Sequence, residues 1–286
     1  MSGAGAQPRN AAGPVLLLLA PAVIIYAAFF LWPTVQMLLR SAYVDGTLSL
    51  GNYRELLSTP LYGKVIWTTL RFSVITTAVC LVLGYPLAML LARASGLTRF
   101  LLLLAVTTPY WLDYIVRTYS WMVMLGRNGI VNQALVALGL VQVPTSHLSS
   151  DFAVLVGMVQ VMLPLMVLCL YAGMARIDPA LLDAAAAHGA SAFAAFRTVF
   201  LPLSMPGVIA GSLLTFVNTL GFYITPALLG GPQQTMISQS IDTLASKLLD
   251  WPLASALAVV LLVVTVGLLA LFNRFFGFER LAGAEP

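Results

Sequence analysis

An acidic and a basic residue four apart, Asp113 and Arg117, stand inside a long apolar run, where charge is costly and therefore informative. The i, i+4 spacing puts both on one face of a helix, close enough to pair. At the centre of a bilayer an unpaired charge costs about 2.5–3.5 kcal/mol on the insertion scale, so both are expected to face the interior of a helix bundle. Trp111, Tyr114, Tyr119 and Trp121 surround them in sequence, and a carboxylate among aromatic faces can hold an ammonium group in transit. Two readings stay open: a cation-handling site, or a self-neutralised pair that fixes packing while the aromatics form an interfacial belt.

A second polar interruption, Asn218, Thr219, Gly221, Tyr223, Thr225 and Pro226, breaks a later apolar run, as in a helix that lines a polar path or is broken at a site. Asn218 and Thr219 serve equally well as interhelical hydrogen-bond formers. Gly207 and Gly211 have the small-xxx-small spacing that lets another helix approach closely. Other chemistry is missing. The one Gly-Lys pair, Gly63-Lys64, is followed by Val65, so no phosphate-cradling loop is present and no ATPase site is expected. H-E-x-x-H and G-x-S-x-G are absent, His147 and His188 fall in loops, and Cys80 and Cys169 lie in apolar runs as small hydrophobes, so no metal or cofactor is expected on this chain.

The elements that must hold these residues follow from composition. Of 286 residues, 60% are hydrophobic and 8% charged, and mean hydropathy is +0.95, which excludes a water-soluble globule. The net charge of +4 comes from scattered single residues, the pattern of topology-setting loops rather than of a nucleic-acid surface. Six stretches suit membrane-spanning helices: 14–39, 65–92, 100–125, 152–175, 202–229 and 252–276. The expected fold is all-α and polytopic. Residues 1–13 are expected as a disordered tail, 14–276 as the membrane domain and 277–286 as a second tail, with 45–60 and 143–151 as outer loops. Arg9, Arg93, Arg99, Arg176, Arg197, Arg274 and Arg280 fall on the side of both termini, against Arg40, Arg54, Lys64, Arg127 and Lys247 on the other. The richer side also has the shorter loops, so both termini are expected in the cytoplasm.

One inner loop, 177–201, is too polar and too well punctuated to be membrane. Asp178 can cap a helix that starts at Pro179, alanines propagate it, and Gly189 suits the left-handed position after its end. Ser191 can cap a second helix over 192–200, whose Phe193, Phe196 and Phe200 are spaced for one face. A linker needs only a few residues, so a surface built to be gripped and a plain connecting hairpin both fit.

Asp183-Ala184-Ala185, Gly189-Ala190-Ser191, Phe196, Val199, Leu201-Pro202-Leu203 and Pro206-Gly207 together resemble the EAA motif of ABC importer permeases. Asp183 stands where that family usually carries glutamate, one methylene shorter. Leu50-Gly51-Asn52-Tyr53, Gly84-Tyr85-Pro86-Leu87-Ala88, Arg117-Thr118-Tyr119-Ser120-Trp121 and 225–232 are similar to the spermidine/putrescine-type subfamily. The resemblance implies a type I ABC importer permease fold, with coupling to an ATPase through Asp178, Asp183, Ala184, Ala185, Gly189, Ala190, Ser191 and Phe196. It also implies a second, different permease subunit, two cytoplasmic ATPase subunits that hold ATP and Mg, a periplasmic or lipid-anchored binding protein, and residence in a bacterial inner membrane. Asp113, Tyr114, Arg117, Tyr119, Trp121, Asn218 and Tyr223 are the candidate residues of the substrate path. The expected cargo is a polyamine or similar small organic solute, an opine being the alternative. An ion-coupled secondary transporter is the rival class, although the inverted repeats it would need are not visible.

Overall fold

The computed structural model of the chain describes residues 12–44, 47–139 and 146–276. The first span is α1 (Ala12–Tyr26), which passes through a π turn at Ala27–Leu31 into α2 (Trp32–Ser41). Helix thus begins at Ala12, two residues before the expected start. The rest of the expected tail 1–13, the tail 277–286 and residues 143–145 of the loop 143–151 lie outside the described residues. A small hairpin follows, β1 (Tyr43–Val44) antiparallel to β2 (Thr47–Leu48), and then α3 (Gly51–Ser58). Segment 45–60 is therefore more than a turn-rich loop. Asn52 is buried and donates through Nδ2 to the carbonyls of Ser41 and Tyr43 at 3.0 and 3.1 Å, which ties α3 to the end of the first span.

The second span, α4 (Pro60–Arg93), has 34 residues. At 1.5 Å per residue it is about 51 Å long, more than the roughly 30 Å of hydrocarbon, so it extends beyond the apolar layer. The third span corrects the sequence reading. In place of one helix over 100–125 there are α5 (Gly96–Trp111), α6 (Tyr114–Leu125) and α7 (Ile130–Ala137), with a bend of 94° between the first and the other two. Pro109 lies in the last turn of α5, and Leu112 and Asp113 turn extended and restart the helix.

The fourth span is α8 (Asp151–Met174), capped by Ser150, whose Oγ accepts from Ala153 N at 3.2 Å. The inner hairpin contains α9 (Pro179–Ala187) and α10 (Ala192–Ala195). A π turn at Phe196–Phe200 joins α10 to α11 (Leu201–Leu220), so the expected second hairpin helix is the beginning of a continuous fifth span, Ala192–Leu220. Beyond it come α12 (Ile224–Leu229), a 3-10 turn at Pro232–Gln234, α13 (Ile237–Asp242), a π turn at Thr243–Lys247 and α14 (Trp251–Phe276). Among the described residues five helices are long and apolar enough to cross a membrane, six if the bent pair counts as one span.

Helices α4, α8 and α11 pack on one another as the centre of the bundle. Backbone contact makes this possible: a Cβ on Gly173 of α8 would lie 2.9 Å from Gly207 Cα of α11, and one on Gly211 would lie 2.9 Å from Met166 Sδ. Without a hydrophobic drive between helices in lipid, such close packing supplies the association energy. A second cluster joins Leu56, Tyr62 and Val65 to Ile237, Leu253 and Leu257. The first span contributes little to either, and its most apolar stretch within Leu19–Ser41 has no buried residue.

Candidate functional site

The inner hairpin is built as its residues suggest. Asp178 Oδ1 accepts from Ala180 N at 2.9 Å, with Pro179 at the first helical position. At the other end Gly189 sits at φ +82°, with Gly189 N donating to Ala186 O at 2.9 Å and Ala190 N to Ala185 O at 3.0 Å, the two hydrogen bonds of a Schellman cap. Ser191 Oγ accepts from Ala194 N at 3.2 Å. No residue of α9 is buried, and Asp183 and Ala184 are exposed. A cavity of about 240 Å³ lies beneath, bounded by Arg93, Leu182, Ala186, Ala190, Ala195 and Phe196. The three phenylalanines do not share a face: Phe193 is exposed, whereas Phe200 is buried and stacks on Phe196 at 6.0 Å. The π turn adds a residue to that stretch of helix and rotates Phe200 inward.

The breaks in the third and fifth spans meet. Asp113 is the N-cap of α6, and its Oδ1 accepts from Ile115 N and Val116 N at 2.8 and 3.2 Å. It forms no ion pair with Arg117: its carbonyl accepts from Arg117 N at 3.2 Å, but at the non-helical N-cap position its carboxylate turns back to the amides of Ile115 and Val116. Arg71 with Asp151 is the one ion pair among the described residues. Arg117 is buried at 8% exposure, its Nε and Nη1 have no hydrogen-bond partner, and its guanidinium lies 5.9 Å from the Tyr114 ring centroid. Tyr114 in turn meets Phe222 edge-on at 5.8 Å and accepts a hydrogen bond from Thr225 Oγ1 at 2.9 Å. These two residues flank Tyr223 in the break between α11 and α12. Of the remaining candidates, Trp121 packs on the core, Tyr119 is exposed, and Asn218 is exposed with Nδ2 turned back to Leu214 O at 2.8 Å.

Two polar groupings escape a sequence reading. Tyr223 donates from its hydroxyl to Asp242 Oδ2 at 3.0 Å, and Ser246 Oγ donates to Asp242 Oδ1 at 3.0 Å. Asp242 sits among Gln239, Ser240 and Thr243, a local loss of apolar character that is its only signal in the chain. The second grouping is Arg71 of α4, paired with Asp151 of α8, whose Oδ1 also accepts from the buried Gln234 Nε2 at 2.8 Å. Nothing in the sequence links residues 80 and 83 positions apart.

Residues 81–276 match the family of binding-protein-dependent transport system inner membrane components. The chain is 34% identical over 260 residues to the spermidine/putrescine transport system permease protein PotB of Haemophilus influenzae, covering 91% of this chain and 89% of that protein. Its identity to the protein of the same name in Escherichia coli K12 is 36% over 231 residues, 81% of this chain and 83% of the other. Among solved structures it resembles a chain of a bacterial alginate ABC transporter in complex with an alginate pentasaccharide-bound periplasmic protein. That match has a TM-score of 0.79 and 18% identity, and covers 91% of this chain and 93% of the other.

Proposed function

The chain belongs to the family of binding-protein-dependent transport system inner membrane components, and on that premise we propose that it forms half of the translocation path of an ATP-driven polyamine importer. The other half is a second, homologous permease subunit. Two cytoplasmic ATPase subunits, which carry ATP and Mg, grip the hairpin 177–201, and a periplasmic or lipid-anchored binding protein delivers cargo to the opposite face. Both termini lie in the cytoplasm. The single observation that carries the coupling role is α9 itself, a helix with no buried residue, locked at one end by Asp178 and at the other by Gly189. A connector has no need of such rigidity, but a lever does.

The mechanical sequence follows from this geometry. Closure of the ATPases moves α9, and α9 continues through Gly189 and Ser191 into the unbroken helix Ala192–Leu220, which reaches the break at residues 221–223. Closure can drive opening to the binding protein only if the closed ATPases favour the outward-open arrangement, since a ligand shifts an equilibrium by no more than its differential affinity. The relatives named for spermidine and putrescine, together with carboxylates at the broken spans, support a polyamine as cargo. The test is gentle purification from native membranes and reconstitution into vesicles. ATPase, second permease and binding protein are expected to co-purify, and putrescine or spermidine should enter the vesicles only when ATP is supplied. Uptake by the isolated chain without an ATPase would overturn the reading.

A further inference from the structure

We propose that Tyr223, Asp242 and Ser246 form the receptor for an ammonium group of the cargo where it enters the path, an assignment that rests on the amine reading of the cargo given above. The Asp242 carboxylate is held at both oxygens, by Tyr223 OH on Oδ2 and Ser246 Oγ on Oδ1, each at 3.0 Å. Each carboxylate oxygen can accept a further bond, so the group is oriented in advance while acceptor capacity remains. No cation among the described residues uses that capacity, since their one ion pair is Arg71 with Asp151. Lys247 closes the same π turn and does not pair with Asp242.

The group is also open and well placed. Tyr223 is 41% exposed, Ser246 is exposed and Asp242 is half-buried. A lone carboxylate in a chain that is 8% charged attracts a counter-ion from outside. The Tyr223 ring adds a face for a cation, and a primary ammonium brings three donors to the carboxylate and phenol oxygens. Tyr223 itself stands in the break between α11 and α12, between the two residues that touch Tyr114 beside Arg117. An ammonium bound at Asp242 is therefore next to the junction of the two broken spans.

A purely structural tether would need the hydrogen bonds, not the charge, and Asp242→Asn separates the two because its amide oxygen still accepts from Tyr223 while its amide nitrogen can donate to Ser246 Oγ. The experiment uses vesicles that contain the whole importer, with saturating loaded binding protein, and measures labelled putrescine and spermidine moved per ATP hydrolysed. That ratio is independent of how much complex assembles. Loss of a charge-assisted bond predicts a fall of about tenfold or more for Asp242→Asn, partial recovery in Asp242→Glu, and a smaller fall for Tyr223→Phe. An unchanged ratio in Asp242→Asn, with the wild type active on these amines, overturns the receptor alone. A wild-type complex that moves neither amine overturns the cargo reading and the receptor together.

Discussion

Arg117 is the residue whose surroundings ask most for an explanation. Its guanidinium is enclosed, and two of its nitrogens have no partner. Each buried unsatisfied polar group costs about 1–3 kcal/mol, more when charged, and a ring face 5.9 Å away compensates only in part. The packing role suggested by the i, i+4 spacing required Asp113, and Asp113 is instead held by the amides of Ile115 and Val116. Arg117→Gln is therefore expected to leave the melting temperature of the detergent-solubilised protein unchanged or higher, while uptake per ATP falls at least tenfold. Unfolding at lower temperature combined with normal uptake would return Arg117 to a packing role. The misreading of Asp113 has a physical source: the spacing rule presumes an uninterrupted helix, and the interruption is a tertiary event.

At the scale of elements, α9 and the two breaks are specified in different ways. α9 is specified locally, because Asp178, Pro179 and Gly189 each act within one turn of themselves. This is why its bounds were legible from the chain. Gly189 at φ +82° has open space around it, so a side chain there meets strain and no clash. A β-branched residue in that conformation is disfavoured by more than the roughly 1–2 kcal/mol of an ordinary left-handed L-residue. Gly189→Val is expected to insert normally and retain ATP hydrolysis in the complex while losing most coupled uptake. Uptake and hydrolysis that remain in step would dismiss the lever. The polar interruption of the fifth run announced its break, and helix does stop at Leu220. For the third span Pro109 gave a hint of a bend but not of 94°, since a proline in a membrane helix is tolerated as often as it breaks one.

At the scale of the whole molecule, a three-helix centre is braced at one end by polar ties. Arg71 and Asp151 join α4 to α8, Gln234 adds the segment after α12, Ser149 N bonds to Leu229 O at 2.8 Å, and Ile237 N bonds to Thr69 Oγ1 at 2.9 Å. The ion pair is partly exposed and on its own contributes at most about 1 kcal/mol. Gln234 is buried, however, and loss of its acceptor leaves an amide unsatisfied at about 1–3 kcal/mol. Asp151→Ala should thus lower the melting temperature by a few degrees and expose segment 230–237 to proteolysis first, whereas Asp151→Asn should lower it less. Equal stability of the Ala variant and the wild type would show that the brace contributes nothing. The uncovered first span, with Phe29 and Trp32 outward, leaves an apolar surface that lipid or a neighbouring subunit must cover.

What the amino-acid order settled alone was whatever is decided within one or two helical turns or by bulk composition: residence in lipid, the approximate spans, the capped hairpin, the family. What only the folded chain decided was which polar groups meet. Tyr223 found a carboxylate 19 positions away, and Arg71 found one 80 positions away. Local energetics act through neighbours along the chain, but a polar group held out of water bonds to whatever acceptor the packing brings within reach, and packing is a property of all the helices at once.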